Sequence, residues 1–388
     1  MFLFVVLFLI GASFCLAEEE KNTSSDSSGV EELTTNAKSA IMIEASTGKI
    51  LYEKNKDEKL PMASMTKMMT LLLIMEEIES GNLKWDEMIT TSEHAASMGG
   101  SQIFLEVGEK MSVSDLVKGI CIASGNDASV AMAERIGGTE EKFVSMMNQK
   151  AEKLGLKNTH FENACGLDSD NHYSSANDMS IIAKELVKHQ KILEFSGTYE
   201  DYLRQNTAKS FWLVNTNKLV RYYQGVDGLK TGYTKNAGYC ITTTAKRNNM
   251  RLITVVMGEP TSPIRNSETT KMLDYGFNTY EVTKILSKNS ILAKQKVQLG
   301  KKEMIDIVPS KEVKILNSKS GTKRNITYKL SLNSIKAPLK VGDSVGKIQI
   351  LENDKVIQEI DATVKEKVEK MNLLMAYYKE LLKVMKGV

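Results

Sequence analysis

The period of the apolar positions changes several times along the 388 residues, and each change predicts a different kind of element. Residues 1–16 carry no charge and are almost wholly apolar, from Phe2 through Ile10 to Leu16, and Glu18-Glu19-Glu20 follow at once. That run is too short to span a bilayer comfortably and predicts an export signal over 1–17, cut after Ala17. A buried N-terminal strand is the competing reading. Residues 21–36 are polar, rich in Ser and Thr and without apolar periodicity, which predicts a flexible tether over 18–36 and a fold that starts near Ala37.

Alternating positions at 40–44 and 49–53 flank Ser46-Thr47-Gly48, and a similar pair, 239–245 and 251–257, flanks Asn248-Asn249. Both predict hairpins, read as neighbours in one antiparallel sheet. Between them Met68, Leu72 and Met75 recur at helical spacing up to Gly81-Asn82, and 143–154 and 180–187 are also helix-like. Strands at both ends of a mostly helical middle predict an α/β sandwich over 37–282, an antiparallel sheet with a helical subdomain. Short alternating runs at 325–332 and 347–351, with turns at Gly321 and Gly342-Asp343, predict a small all-β domain over 283–364. From Lys365 to the end Val368, Met371, Met375, Tyr378, Leu382 and Met385 repeat at steps of three and four among lysines, the pattern of an amphipathic helix.

Composition narrows the chemistry. The net charge is +3, and residues 365–388 alone hold six Lys and three Glu, so the basic excess lies in the tail. No Lys/Arg run is long enough to track a phosphate backbone, which argues against nucleic acid. Past the leader three cysteines remain, Cys121, Cys165 and Cys240, widely spaced and without a Cys-x-x-Cys pair, so neither a disulfide framework nor a redox motif is indicated. His94, His160, His172 and His189 form no zinc-binding spacing, and no metal or other cofactor is expected.

Ser64-Met65-Thr66-Lys67 places a hydroxyl and an amine three residues apart, which on a helix brings them to one face at ~5–6 Å between Cβ atoms. Alone the pattern is weak. Ser124-Gly125-Asn126 follows sixty residues later, and Lys230-Thr231-Gly232 another 106 residues on, at the edge of the second hairpin. Longer stretches run PMASMTKMMT (61–70), IASGNDAS (122–129), HYSSANDM (172–179) and GVDGLKTGYT (225–234). On these segments residues 37–362 resemble the low-molecular-mass penicillin-binding proteins of the D-alanyl-D-alanine carboxypeptidase type, with Ser-Gly-Asn where the wider family also carries Ser-Asp-Asn.

The resemblance implies a serine β-lactamase/DD-peptidase-like fold and an acyl-enzyme mechanism that removes the terminal D-alanine from peptidoglycan stem peptides. It also implies covalent binding of β-lactam antibiotics. Ser64 would be the nucleophile and Lys67 a base held neutral by burial and by Lys230 as a second cation. Ser124 would relay a proton to the leaving D-alanine, and Asn126 would hold the substrate amide and Lys67. The N–H groups of Ser64 and Tyr233 would form the oxyanion hole. Gly232 would let a substrate strand lie close, Thr231 and Thr234 would offer hydroxyls to the terminal carboxylate, and Arg265 would grip it with its fork. A plain surface arginine is the competing reading of Arg265. Cys121 and Cys240 read as buried apolar side chains and His172 as structural.

A β-lactamase would share nucleophile and fold, but no Glu-x-x-Leu-Asn follows Ser124, and Glu162, the nearest acid, has different surroundings. A receptor without turnover is the remaining alternative, opposed by the intact trio. The tail is expected on the outer face of the cytoplasmic membrane, with docking on the protein's own β domain or on a partner as the competing reading.

Overall fold

The computed structural model describes residues 32–322 and 324–385, so the leader and most of the tether lie outside the described residues. Ser39–Glu44 is buried at every position and is an interior strand of the main sheet. That sheet is antiparallel, with order Ile50–Lys54, Ser39–Glu44, Met250–Glu259, Gly238–Arg247, Val226–Thr234. The first strand pairs with one more than 200 residues away, Met42 opposite Thr254, so the two ends of this region share one sheet. Its hairpin is closed by Glu44, whose carboxylate accepts from the N–H and hydroxyl of both Ser46 and Thr47, while Gly48 takes the left-handed φ of +72° that the turn needs.

The helix Ser262–Thr279 covers one face, with Gly276 so close to Leu252 and Met42 that an added Cβ would lie 2.6 Å from Leu252. Ala176–Leu186 covers the other face, and Lys67–Glu79 packs against that helix. The first nine residues of Lys67–Glu79 are all buried. Apolar or uncharged side chains cover every side of them except at Lys67, so this helix is interior rather than amphipathic, and its N-terminal lysine is carried into the core. Val113–Ile122, Asn126–Gly137 and Glu140–Lys153 complete the helical subdomain; side-chain oxygens of Ser112 and Thr139 cap the first and third.

Two expectations about boundaries change. Thr34, Thr35 and Asn36, read as the end of the tether, are pinned: Glu268 accepts the N–H groups of Thr35 and Asn36 and the amide of Asn36, while Lys54 donates to the carbonyls of Thr34 and Thr35. Polar composition concealed this because the contacts are backbone hydrogen bonds to one buried carboxylate. At the other end Val368 is 1% exposed and paired with Leu339, and the Met371 N–H donates to Leu299, so 365–372 lie along the β domain. The helix runs only over Leu373–Met385. Val368 continued the helical spacing by coincidence; what it fills is an apolar site in a β core.

That core holds Ile305, Ile307, Val313, Ile348, Ile350 and Ile360 between a five-stranded antiparallel sheet and the pair Tyr280–Leu286 with Val313–Ser318. The strand at Tyr280 follows the helix ending at Thr279 without a linker.

Candidate active site

Ser64 lies in a single 3₁₀ turn, Ala63–Thr66, that feeds directly into Lys67–Glu79. The turn is squeezed from two sides. A Cβ on Gly166 would lie 2.0 Å from the Ala63 carbonyl oxygen, and one on Gly232 would lie 2.7 Å from that of Met62. Both positions therefore exclude any side chain. Gly232, expected to let a substrate strand lie close, also brings the strand Val226–Thr234 against the Ser64 turn itself. Ala63 takes φ +48° and Ser124 φ +66°, strained values for residues with a Cβ.

Lys67 is fully buried, and its Nζ lies 2.9 Å from Ser64 Oγ, 2.6 Å from Asn126 Oδ1 and 2.6 Å from the Cys165 carbonyl. Burial lowers its pKa to about 8, against the opposing pull of Cys165 and Asp127. As an ammonium it donates to all three oxygens. As a neutral amine it can donate to the two fixed acceptors, Asn126 and Cys165, and accept from the Ser64 hydroxyl, which can reverse its role. The expected part of Lys230 needs correction. Burial pushes Lys230 well below the usual lysine range and the charge of Lys67 adds to this, whereas the lowering of Lys67 comes from burial.

Asn126 opens the helix Asn126–Gly137, and its amide nitrogen donates to the Gly99 carbonyl at 2.6 Å, so one side chain ties Lys67 to the loop carrying Ser101. Asp127 holds the same loop by accepting the N–H groups of Ile103 and Leu105. Ser124 Oγ is buried and has no hydrogen-bond partner among the described residues.

Ser64, Ser124, Thr231, Gly232, Tyr233 and Arg265 line one cavity of about 390 Å³. Arg265 is only 4% exposed, held by Ser262 Oγ, Asn266 Oδ1 and the Cys240 carbonyl, which excludes the surface reading. Burial lowers its pKa to about 10. Thr231 donates to Thr216 Oγ1 at 2.8 Å. Thr234 is not brought to this lining: its hydroxyl donates to Asp168 and accepts from the Ala237 N–H, closing the hairpin instead. Tyr233 is exposed and packs its ring on Tyr239.

Sequence reasoning missed Ser101, Thr216, Lys218, Tyr239 and Ser262, all in the lining. No local pattern marks them, since each is delivered by tertiary packing. Gly166 had a readable signal, Asn163 three residues earlier, whose side chain accepts the N–H groups of Cys165, Gly166 and Leu167 in one turn. Cys121 and Cys240 are buried thiols whose pKa values burial raises to about 12 and about 11. Glu162 accepts from Ser169 and Asn171 and is not in the cavity lining.

Residues 25–261 match the model of D-alanyl-D-alanine carboxypeptidase, and 280–370 that of the penicillin-binding protein 5 C-terminal domain. The chain is 49% identical to D-alanyl-D-alanine carboxypeptidase DacF of Bacillus subtilis over 94% of each protein. Against DacC of Escherichia coli the identity is 35%, covering 88% of this chain and 86% of that one. Penicillin-binding protein 5 of Haemophilus influenzae superposes with a TM-score of 0.71 at 32% identity, over 88% of this chain and all of that one. The ampicillin-bound penicillin-binding protein D2 of Listeria monocytogenes gives 0.56 at 33% identity, over 62% of this chain and 97% of that one.

His172 supports the nucleophile turn from behind. Its Nδ1 accepts the Glu162 N–H, so Nε2 carries the proton and donates to Thr66 Oγ1, which in turn donates to the Ala63 carbonyl. Burial holds its pKa at about 4. An unfolded histidine takes up a proton near pH 6.5, so the folded state loses stability as pH falls from about 6.5 to about 4, by about 3 kcal/mol in all. Urea unfolding at pH 7 and pH 5 should show this component in the wild type and lack it in His172→Asn. An equal pH dependence in both proteins would remove His172 from that role.

Proposed function

The chain belongs to the D-alanyl-D-alanine carboxypeptidase family, whose members are serine hydrolases, and from that premise we propose that Ser64 forms its acyl-enzyme. One observation carries the reading: a fully buried lysine amine, lowered to about pH 8, lies 2.9 Å from the Ser64 hydroxyl. Neutral Lys67 takes the Ser64 proton as Oγ attacks the carbonyl carbon of the penultimate D-alanine. The negative charge passes to the carbonyl oxygen, facing the N–H groups of Ser64 and Tyr233. Support for that pairing comes from Gly232, whose added Cβ would lie 3.2 Å from the Ser64 nitrogen, so the edge strand runs beside that amide.

Collapse of the intermediate breaks the C–N bond, and the proton reaches the leaving amine of D-alanine through Ser124, whose buried oxygen has no partner among the described residues to compete for it. An ester on Ser64 remains. Water then attacks the ester carbonyl and gives up a proton to Lys67; Ser64 Oγ leaves and is reprotonated, and the shortened peptide departs as an acid. Arg265 binds the terminal carboxylate by a charge-assisted fork, with Thr231 beside it. Lys230, buried on the edge strand near Lys67, is itself pushed toward the neutral amine and shares the desolvated surroundings of the base. A β-lactam acylates the same oxygen, the binding named for the ampicillin-bound relative. Ser64→Ala should abolish both D-alanine release and covalent labelling by penicillin, read by mass spectrometry of the intact protein. Labelling of that variant at the wild-type rate would refute the assignment.

The same reading places the protein outside the cell, exported by its apolar leader and held on the outer face of the cytoplasmic membrane by its C-terminal helix. Among the described residues no helix is long and apolar enough to cross a membrane. Leu373, Leu374, Tyr377, Tyr378, Leu381 and Met385 are exposed, which supports an interfacial helix over one docked on the protein's own β domain. Lys379, Lys383 and Lys386 in the same segment suit anionic headgroups. Removal of 373–388 should leave D-alanine release intact and abolish co-sedimentation with anionic vesicles. Equal sedimentation of full-length and shortened protein would overturn the anchor.

A further inference from the structure

We infer that Glu259 is a positioning residue for the proposed reaction: it keeps a proton, shares it with Glu268, and so leaves Arg265 without a carboxylate partner until substrate arrives. This rests on the proposed function, which gives the terminal carboxylate of the substrate to Arg265. The strand Met250–Glu259 ends at Glu259, and only Pro260 and Thr261 separate it from the helix Ser262–Thr279. Arg265 and Glu268 stand three residues apart on that helix, hence on one face, and both are buried. Glu259 is 0% exposed and close enough to feel the charge of both.

The two glutamates are furnished differently. Glu268 accepts the N–H groups of Thr35, Asn36 and Ala37 and the amide of Asn36. Neither oxygen of Glu259 receives a hydrogen bond from a described residue. A second buried carboxylate with no donor of its own, set against the first, is costly, and one proton held between them removes the repulsion. Burial first, and Glu268 next, raise Glu259 to about 8. Burial also pushes Glu268 up, but its hydrogen bonds from Glu259 and from Asn36 and Ala37 outweigh this and hold it below the usual glutamate range. Glu259 is thus the acid of the pair and Glu268 the carboxylate.

Other charged or titratable groups face this place from each neighbouring strand. Lys54 pulls Glu259 down in part, while it donates to the carbonyls of Thr34 and Thr35. Lys38 lays its aliphatic stem against Gly258, Tyr239 lies opposite Glu259 in register, and Cys240 follows it as a thiol raised to about 11. Arg265 itself is held by neutral acceptors, the Ser262 hydroxyl, the Asn266 amide oxygen and the Cys240 carbonyl. Glu259 is the one carboxyl group among the described residues whose charge Arg265 feels. Ionised, it would compete with the substrate carboxylate for the same guanidinium; protonated, it leaves the fork free.

Two peptides ending in D-alanyl-D-alanine, one with a free terminal carboxylate and one with a terminal carboxamide, test this. The readout is the ratio of their kcat/KM values, acid over amide, between pH 7 and pH 9. Titration of Lys67 acts on both substrates and cancels in the ratio. In the wild type Glu259 passes from mostly protonated to mostly ionised over this range, so the ratio should fall about tenfold, through KM rather than kcat. Glu259→Gln cannot ionise and still donates to Glu268, so its ratio should stay nearly constant. Glu268→Gln keeps the acceptor and removes the charge, so the fall should move to lower pH. A wild-type ratio that is flat from pH 7 to pH 9 overturns the inference, as does a Glu259→Gln ratio that falls as steeply as the wild type's, or a fall that Glu268→Gln leaves unmoved. A wild-type ratio near one at pH 7 would instead overturn the role of Arg265, and failure to release D-alanine from the acid peptide would overturn the underlying reading of the site.

Discussion

The turn that carries Ser64 has glycine on both sides because nothing larger fits. Gly166 and Gly232 bring two backbones against Ala63 and Met62, and this close approach sets the geometry of the site. It puts the edge strand, with Lys230, Thr231 and Tyr233, against the nucleophile, and it brings the Cys165 carbonyl within reach of Lys67. Positive φ at Ala63 is the local cost of that packing, of order 1–3 kcal/mol. The surrounding core, which buries every residue from Lys67 to Met75, holds the strained turn in place.

From the same constraint follows the electrostatics. An amine taken fully out of water loses hydration, which lowers its pKa, and the three oxygens around Lys67 offset part of that loss without a carboxylate in direct contact. An Asp or Glu in contact would hold the lysine charged and useless as a base. Neutral acceptors, one amide, one hydroxyl and one peptide carbonyl, leave it poised. The second buried lysine, Lys230, meets the same desolvation and feels Lys67 besides.

Much of this was legible in the sequence. Both hairpins were readable from turn residues between alternating runs, and the three polar motifs from their order and spacing. What local patterns do not carry is which neighbour a residue meets. Gly232 is readable as a close approach, but that the approach is also to Met62 and Ala63 is not. Thr234 is the last residue of its strand, and the hairpin takes up its hydroxyl. Val368 has the spacing of a helix and the burial of a β core. Thr216 and Lys218 reach the cavity because two buried asparagines fold their segment against the edge strand, which a single sequence does not disclose.

The central claim is that a buried, neutral Lys67 activates Ser64. The pH dependence of the second-order rate of acylation by a penicillin tests it most directly. The neutral fraction of Lys67 rises about tenfold per pH unit well below its pKa and saturates above it, so the rate should climb from pH 6 and level off above about pH 8. A rate that is flat across pH 6 to 9, or that falls as pH rises, would contradict the account.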